Sequence, residues 1–301
     1  MENIIEEINR LRQERNAVIL AHNYQLPEVQ DIADFVGDSL ELAQLSAKTD
    51  AEVVVLCGVY FMAETAAIIN PGKTVLIPDK HADCPMARMI TVDTLRELKK
   101  KYPEAAVVCY VNSTVEVKAE SDICCTSSNA ARVVGSLKDY KQIIFVPDKN
   151  LGHYLSQSSD KEFILASGFC PTHERISAEV LDEMKVKHPG AKVLVHGECN
   201  PELKLRADKI LSTGQMCKFI SNSDCREFIV ATELEILHRM RKENPDKQLY
   251  AASPLALCPN MKLCNLEKIR NVLRDMDNVV EVDEMIAIKA RGCIERMLAV
   301  G

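Results

Sequence analysis

The chain of 301 residues has ordinary hydrophobic and charged fractions, 47% and 27%, and a formal net charge of −7. This acidic balance argues against a nucleic-acid scaffold and against an anionic membrane surface as a partner. The apolar runs have only the length of strands, and the N-terminal residues show helical spacing of charged and apolar positions, so neither a membrane span nor a signal peptide is expected. Twelve cysteines without an export signal indicate a cytoplasmic protein whose thiols stay reduced or bind metal.

In chain order, the sequence predicts helices and strands that alternate, beginning with the N-terminal helix. Uninterrupted runs of Val, Ile and Leu are typical of parallel strands that are covered on both faces. The predicted strands are 17–21, 52–57, 74–77, 106–111, 142–146, 163–166, 192–196, 227–231 and 248–251. Helical patterns occupy 40–48, 92–102, 129–137, 177–188 and 234–241. From Leu263 onward a helix, a short strand near 279–282 and a final helix are expected.

An internal repeat divides these elements into three units. Three cysteines followed by proline, Cys84, Cys170 and Cys258, are separated by 86 residues (84 to 170) and 88 residues (170 to 258). Further positions keep nearly the same spacing. They are Asp34, Asp122 and Asp208; Ser39, Ser127 and Thr213; His22, Tyr110 and His196; and Tyr24, Asn112 and Glu198. The prediction is an α/β protein of three pseudo-symmetric αβα sandwich units around a central cavity: 1–86 with 261–301 packing back on it, 87–172, and 173–260.

The three Cys-Pro positions predict a metal centre. If Cys84, Cys170 and Cys258 converge on the pseudo-threefold axis, they form a trigonal set of thiolates. Such a set suits a [4Fe–4S] cluster with one open iron, or a zinc ion with one open position. His173 follows Cys170 by three residues and is a candidate hydrogen-bond donor to a metal ligand, or a candidate substrate contact. The other cysteines, including the adjacent Cys124 and Cys125, are interpreted as packing residues.

The other repeated positions predict anion binding. Polar residues follow each opening strand, and ligands of parallel sheets bind beyond the carboxyl ends of the strands. Ser39, Ser127 and Thr213 precede helical runs and resemble N-caps, so three helix N-termini would face one axis. We therefore expect a ligand with two or three carboxylates or phosphates.

Several strings closely resemble the quinolinate synthase (NadA) family, from about Ala21 to Ile269. They are AHNYQLPEVQDIADFVGDS, GVYFMAETA, CYVNST, DICCTSSNA, CPTHERI, HGECNPE, STGQM and CPNMKLCNLEKI. The resemblance implies three αβα sandwiches around a [4Fe–4S] cluster. It also implies condensation of iminoaspartate with dihydroxyacetone phosphate to quinolinate, phosphate and water, in NAD biosynthesis. An L-aspartate oxidase that makes the imine would be a functional partner.

The resemblance and the chemistry together imply a role for each site residue. Cys84, Cys170 and Cys258 would hold the cluster, whose open iron would act as a Lewis acid. Glu198 is the candidate general base, with Tyr24 as candidate acid aided by His173. The expected substrate contacts are His22, Ser39, Tyr110, Asn112, Ser127, His196, Glu198 and Thr213. Two alternatives remain open: another [4Fe–4S] hydro-lyase, and a non-catalytic iron–sulfur or zinc sensor.

Overall fold

The computed structural model describes residues 2–300 and contains three four-stranded parallel sheets flanked by helices, which confirms the predicted fold class. The first sheet has the order β2-β1-β3-β4, the second β6-β5-β7-β8 and the third β10-β9-β11-β12. The strands are β1 (Ala17–His22), β2 (Phe35–Gly37), β3 (Val53–Cys57), β4 (Thr74–Leu76), β5 (Ala106–Tyr110), β6 (Ile123–Cys125), β7 (Gln142–Val146), β8 (Glu162–Leu165), β9 (Lys192–His196), β10 (Lys209–Leu211), β11 (Glu227–Ala231) and β12 (Gln248–Ala251).

The helices that cover these sheets begin at the N-terminus and end with two helices in the tail. They are α1 (Glu2–Glu14), α2 (Pro27–Ile32), α3 (Ser39–Lys48), α4 (Tyr60–Ile69), α5 (Val92–Lys101), α6 (Val115–Ala119), α7 (Ala130–Ser136), α8 (Lys149–Ser156), α9 (Pro171–Glu174), α10 (Ala178–Lys187), α11 (Pro201–Lys204), α12 (Thr213–Asn222), α13 (Ile236–Glu243), α14 (Leu266–Asp275) and α15 (Glu284–Val300). Within residues 2–300, no helix is long and apolar enough to cross a bilayer.

The nine strands predicted for the three units are present, but each sheet has one further strand that the sequence did not predict. These strands, β2, β6 and β10, have three residues each and lie at one edge of their sheets. The repeated aspartate stands immediately before each one. Its carboxylate accepts a backbone N–H from the opening strand of the same sheet: Ile19 to Asp34 at 2.8 Å, Val107 to Asp122 at 2.7 Å, and Val193 to Asp208 at 2.7 Å. The aspartate repeat is therefore structural.

The tail after the third sheet contacts two of the units. Helix α14 packs against α1, where the Arg15 guanidinium donates to the carbonyl oxygens of Leu273 and Arg274. The short strand predicted near 279–282 is a single antiparallel bridge from Val279 to Leu76. Helix α15 packs against α4, α6 and β6, so it lies between the first and second units. The predicted unit boundaries stay a prediction, and Met1 and Gly301 at their ends lie outside the described residues.

Three buried side chains join the units to one another in a cycle. We call them the inter-unit donors: Gln30, Lys118 and Lys204, which lie eight residues beyond the ends of β1, β5 and β9. Gln30 Nε2 donates to the Glu235 carbonyl at 3.0 Å, Lys118 Nζ approaches the Phe61 carbonyl at 3.5 Å, and Lys204 Nζ donates to the Asn150 carbonyl.

The acceptors of the inter-unit donors are also equivalent. Phe61, Asn150 and Glu235 each lie four residues beyond the ends of β3, β7 and β11. The first unit thus donates to the third, the third to the second, and the second to the first. Because buried carbonyl oxygens need partners, the cycle gives each pair of units a buried polar contact a few residues beyond the carboxyl ends of their strands.

Candidate active site

A cavity of about 160 Å³ lies where the carboxyl ends of the three sheets meet. All of the residues predicted for the site line it. They are His22, Tyr24, Ser39, Cys84, Tyr110, Asn112, Ser127, Cys170, His173, His196, Glu198, Thr213 and Cys258. The structure thus brings together side chains that are distant in sequence, with contributions from all three units.

The three Cys-Pro cysteines reach the cavity from short helical turns. Pro85 and Pro171 occupy the first positions of a 3₁₀ turn and of α9, where a residue without an N–H and with a fixed φ is well suited. Cys84 and Cys170 therefore stand as extended residues immediately before these turns. Cys258 precedes Pro259 in the loop that leads to the 3₁₀ turn Met261–Leu263.

The three thiols suit a cationic centre. Burial, with smaller contributions from the charges of Glu198 and Cys258, raises the pKa of Cys84 to about 12. Burial likewise raises the pKa of Cys170 and of Cys258. Thiolates are unfavourable in this cavity without a nearby positive charge. A bound metal centre would supply that charge. Three thiolate donors from three units fit an iron–sulfur cluster.

The nine other cysteines do not line the cavity. Most are buried, and burial raises the pKa of Cys57, Cys109 and Cys125 well above the ordinary range. Cys124 Sγ lies 3.2 Å from Cys293 Sγ, where β6 meets α15. This geometry agrees with the interpretation of these cysteines as packing residues.

A hydrogen-bonded group surrounds Glu198. The Tyr110 hydroxyl donates to Glu198 Oε1, and His173 Nδ1 lies 2.9 Å from Glu198 Oε2. Burial alone would raise the pKa of Glu198. The His173 charge and hydrogen bond, together with His196 and Tyr110, outweigh burial and hold that pKa well below its usual range. Glu198 is therefore ionised near neutral pH and can accept a proton.

His22 and His196, which occupy equivalent positions in the first and third units, have the same tautomer. His22 Nδ1 accepts the backbone N–H of Tyr24 at 3.1 Å, and His196 Nδ1 accepts that of Glu198 at 3.3 Å. Burial lowers the pKa of both rings to about 3, so both are neutral near pH 7. Because Nδ1 accepts, each ring carries its proton on Nε2 and can donate it. His196 Nε2 lies 3.3 Å from Ser127 Oγ.

The prediction that Ser39, Ser127 and Thr213 are N-caps is wrong. The cap of α3 is Asp38 and the cap of α12 is Ser212, and each belongs to a capping box with a residue three positions on. Ser39 and Thr213 are the first residues of these helices, while Ser127 lies in the turn before α7. Because other residues cap the helices, the three hydroxyls are not occupied by backbone N–H groups at the helix N-termini.

Three residues at the cavity were missed in the sequence: Asp38, Thr232 and Glu233. Asp38 lines it beside Ser39, and the Ser128 hydroxyl donates to its carboxylate. Glu233 forms a 2.8 Å ion pair with Lys262 and accepts the Cys258 N–H at 3.1 Å. The Thr232 hydroxyl contacts both Tyr24 and His173. Asp38 could have been found from its capping box, and Thr232 and Glu233 from their position directly after β11.

The site has a second combination of possible metal donors. One donor atom each of Cys170, His173 and Glu198 lies within 4.8 Å of the other two. Cys170 belongs both to this group and to the three Cys-Pro cysteines. His173 Nδ1 lies 3.1 Å from the Cys170 Sγ. The imidazole and the carboxylate are thus close enough to any centre on Cys170 to act on a ligand bound there.

Comparison with known proteins gives one consistent family. The family described as "Quinolinate synthetase A protein" matches residues 6–299. The chain is 54% identical over 297 residues to a quinolinate synthase of Dehalococcoides mccartyi, across 99% of this chain and 98% of that protein. It is 52% identical to the quinolinate synthase of Geobacter metallireducens and 51% identical to quinolinate synthase 1 of Methanosarcina acetivorans, in both cases across 99% of this chain and 97% of the relative. The resemblance found in the sequence is confirmed, and the chain belongs to the quinolinate synthetase A family.

Proposed function

We propose that the protein is a quinolinate synthase that condenses iminoaspartate with dihydroxyacetone phosphate to quinolinate, releasing phosphate and water. The observation that carries this proposal is that three thiols and three hydroxyls, one of each from every unit, line the same cavity as Glu198. A thiolate-bound centre and several anion contacts in one cavity suit a substrate pair with two carboxylates and a phosphate.

Neutral donors carry most of the proposed substrate recognition. Arg175 is the single Lys or Arg among the described residues that line the cavity. The hydroxyls of Ser39, Ser127 and Thr213 and the Nε2–H groups of His22 and His196 would donate to the carboxylates and the phosphate. Neutral donors in a buried site hold an anion without placing a second positive charge beside the metal centre.

The proposed cofactor is a [4Fe–4S] cluster held by Cys84, Cys170 and Cys258. When bound, a cluster with one iron free of protein ligands supplies a Lewis acid. Glu198 would take a proton from the reacting carbons, because it is ionised and held by His173 and Tyr110. Tyr24 would donate a proton, because burial raises its pKa and keeps the phenol protonated.

The reaction is proposed to take place in the cytoplasm, next to a source of the imine. Iminoaspartate hydrolyses in water, so coupling to an L-aspartate oxidase would shorten its exposure. We propose no nucleic-acid or membrane partner, in keeping with the net charge of −7.

Anaerobic purification with metal analysis and a turnover assay tests the proposed function. We expect about four iron and four sulfide per chain, and quinolinate formation from the two named substrates. Zinc with no iron would contradict the cluster and favour a zinc protein. A full cluster without quinolinate formation would contradict the reaction and favour another hydro-lyase or a sensor.

A further inference from the structure

Each of the three Cys-Pro cysteines is followed by a cationic residue at a similar distance. Arg88 and Lys262 lie four residues after their cysteines (84 to 88, and 258 to 262), and Arg175 lies five residues after its own (170 to 175). Because the three cysteines line one cavity, the chain brings three positive charges to the surroundings of that cavity.

Two of these cations are neutralised by carboxylates of the cavity. Arg88 Nε pairs with Asp83 Oδ2, and Lys262 Nζ lies 2.8 Å from Glu233 Oε1. Asp83 and Glu233 line the cavity, whereas Arg88 and Lys262 do not. In the first and third units the positive charge therefore balances a carboxylate of the protein, and it leaves little attraction for an anionic ligand.

Arg175 is the cation that has no such partner. Within residues 2–300, it belongs to no ion pair. The residue before Cys84 is Asp83, but the residue before Cys170 is Phe169, which carries no charge. Arg175 is exposed and also lines the cavity, so it lies at the cavity mouth. The second unit thus presents an uncompensated guanidinium to any ligand that enters.

The interior of the cavity has a different electrostatic character. Glu198 is 4% exposed and ionised near neutral pH, and the buried rings of His22 and His196 are neutral. A group with two negative charges is repelled by the Glu198 carboxylate and attracted by the Arg175 guanidinium. Since the whole chain has a net charge of −7, a positive mouth also speeds the approach of an anionic substrate.

We propose that Arg175 forms an anion subsite at the mouth of the cavity, and that this subsite holds the phosphate of the phosphorylated substrate. This inference rests on the proposed function, in which one substrate carries a phosphate and the other two carboxylates. A guanidinium is planar and can donate two parallel hydrogen bonds to phosphate oxygens. Arg175 would contact the solvent side of the phosphate, while the neutral donors deeper in the cavity contact its inner side and the carboxylates.

Substitutions of Arg175 in the cluster-loaded enzyme test the subsite. We expect Arg175→Gln to raise the KM for dihydroxyacetone phosphate about 10-fold, because a charged hydrogen bond to the phosphate is lost. Iron content should be unchanged, and the KM for iminoaspartate should change little. Arg175→Lys keeps the charge without the planar fork, so its KM should lie between the two. Added salt should raise this KM in the wild type and much less in Arg175→Gln.

Arg132→Gln is the matched control for net charge. Arg132 is also an exposed arginine, on α7, but it does not line the cavity. Both variants remove one positive charge from the chain, so only the position of the charge differs. Arg132→Gln should keep the wild-type KM. A wild-type KM for dihydroxyacetone phosphate in Arg175→Gln, or an equal rise in Arg132→Gln, would overturn the inference.

Equilibrium binding keeps the subsite separate from the proposed reaction. Calorimetric titration with dihydroxyacetone phosphate alone, and with succinate as a stable dicarboxylate, needs no turnover. We expect Arg175→Gln to bind dihydroxyacetone phosphate about 10-fold more weakly than the wild type and to bind succinate equally well. An equal loss for both ligands would contradict the assignment to phosphate.

The two proposals can fail independently in this experiment. If dihydroxyacetone phosphate does not bind to the wild type, or binds equally well to Arg175→Gln, the subsite is wrong, whatever the enzyme makes. If the wild type makes no quinolinate but loses dihydroxyacetone phosphate binding in Arg175→Gln and not in Arg132→Gln, the proposed function fails and the subsite stands.

Discussion

Glu198 is the one carboxylate among three equivalent positions in the repeat. The corresponding residues of the other units are Tyr24 and Asn112, each two residues after the end of an opening strand. All three line the cavity, so the scaffold is symmetric while the chemistry at these positions is not. A reaction with distinct acid and base roles requires such a difference.

We expect Glu198→Gln to remove most of the activity. The amide keeps the shape of the side chain but cannot take a proton, so quinolinate formation should fall about 10²-fold or more, the scale of a lost general base. Iron content should stay at the wild-type level. Glu174→Gln, at a nearby acidic residue outside the cavity lining, is the control. A Glu198→Gln rate within a few-fold of the wild type would assign the base to another residue, with Tyr24 next to be tested.

The proposed metal ligands give a second prediction about single residues. Cys84→Ser, Cys170→Ser and Cys258→Ser should each lose the cluster, because a missing thiolate leaves a second iron unprotected. Cys57→Ala and Cys225→Ala should keep it, since neither residue lines the cavity. Iron and sulfide analysis measures the outcome. A complete cluster in Cys170→Ser would show that the thiol set is wrong.

Most of the cavity residues could be predicted from sequence because four sets of positions recur at one spacing. A lone Ser39 or His22 would mean little, but the same positions in three units point to one axis. Thr232 and Glu233 directly follow β11 and lie outside these four sets. The repeat gives no signal at Thr232, because its equivalents are Gly58 and Pro147.

Among the secondary-structure elements, the helix caps show where sequence analysis failed. Asp38-Ser39 and Ser212-Thr213 each offer two neighbouring residues that can cap a helix. The capping boxes with Glu41 and Gln215 select the first of each pair. The edge strands β2, β6 and β10 were missed for a different reason: three residues are too few to form a recognisable apolar run.

Ser39 and Thr213 are not the caps of their helices, and this leads to a third prediction. Ser39→Ala and Thr213→Val should each raise KM by about 10- to 100-fold, because one hydrogen bond to a charged group, about 1.5–3 kcal/mol, is lost. The free energy of unfolding should change little in Ser39→Ala, whereas Thr213→Val also loses the hydrogen bond from Asn23 Nδ2 at 3.1 Å. Ser212→Ala, one residue before Thr213, is the matched control and should lower the free energy of unfolding by about 1 kcal/mol. Unchanged KM in both hydroxyl variants would remove these residues from the substrate site.

At the scale of the whole molecule, the sequence repeat predicted three units but could not predict how they meet. The inter-unit donors recur at the spacing of the repeat, but their burial and their carbonyl acceptors could not be predicted, because Lys and Gln side chains are mostly exposed. The position of α15 depends in the same way on contacts between distant segments. Its arginines donate to the carbonyl oxygens of Ile68 and Asp122, in two different units.

The two lysines among the inter-unit donors should contribute differently to the free energy of unfolding. Lys204 Nζ donates to the Gly197 carbonyl at 2.8 Å and also to the Asn150 carbonyl. Lys118 Nζ has partners only at 3.3 and 3.5 Å. We therefore expect Lys204→Met to lower the free energy of unfolding by about 1–3 kcal/mol. Lys118→Met should cost less.

Activity should separate the two lysines as well. Gly197 immediately precedes Glu198, and Asn150 Nδ2 donates to the Glu198 carbonyl at 3.1 Å. Lys204→Met should therefore lower kcat in the fraction that stays folded, while Lys118→Met should not. Denaturant unfolding and kcat per cluster measure both effects. If the two variants lose stability equally and neither loses kcat, the loop of Glu198 does not depend on Lys204.

The pattern in which one unit donates to another implies an order in which the contacts between units form during synthesis. A chain emerges from the ribosome N-terminal end first, and its units fold in that order. Lys118 and Lys204 each find an acceptor, at Phe61 and Asn150, that has already been made. Gln30 can form its contact only after Glu235 of the third unit has been made, so the contact between the first and third units forms last. Cys258 emerges later still. The thiol set is therefore complete only after Cys258 has emerged, so a centre that needs all three thiols can form only after the third unit has been made.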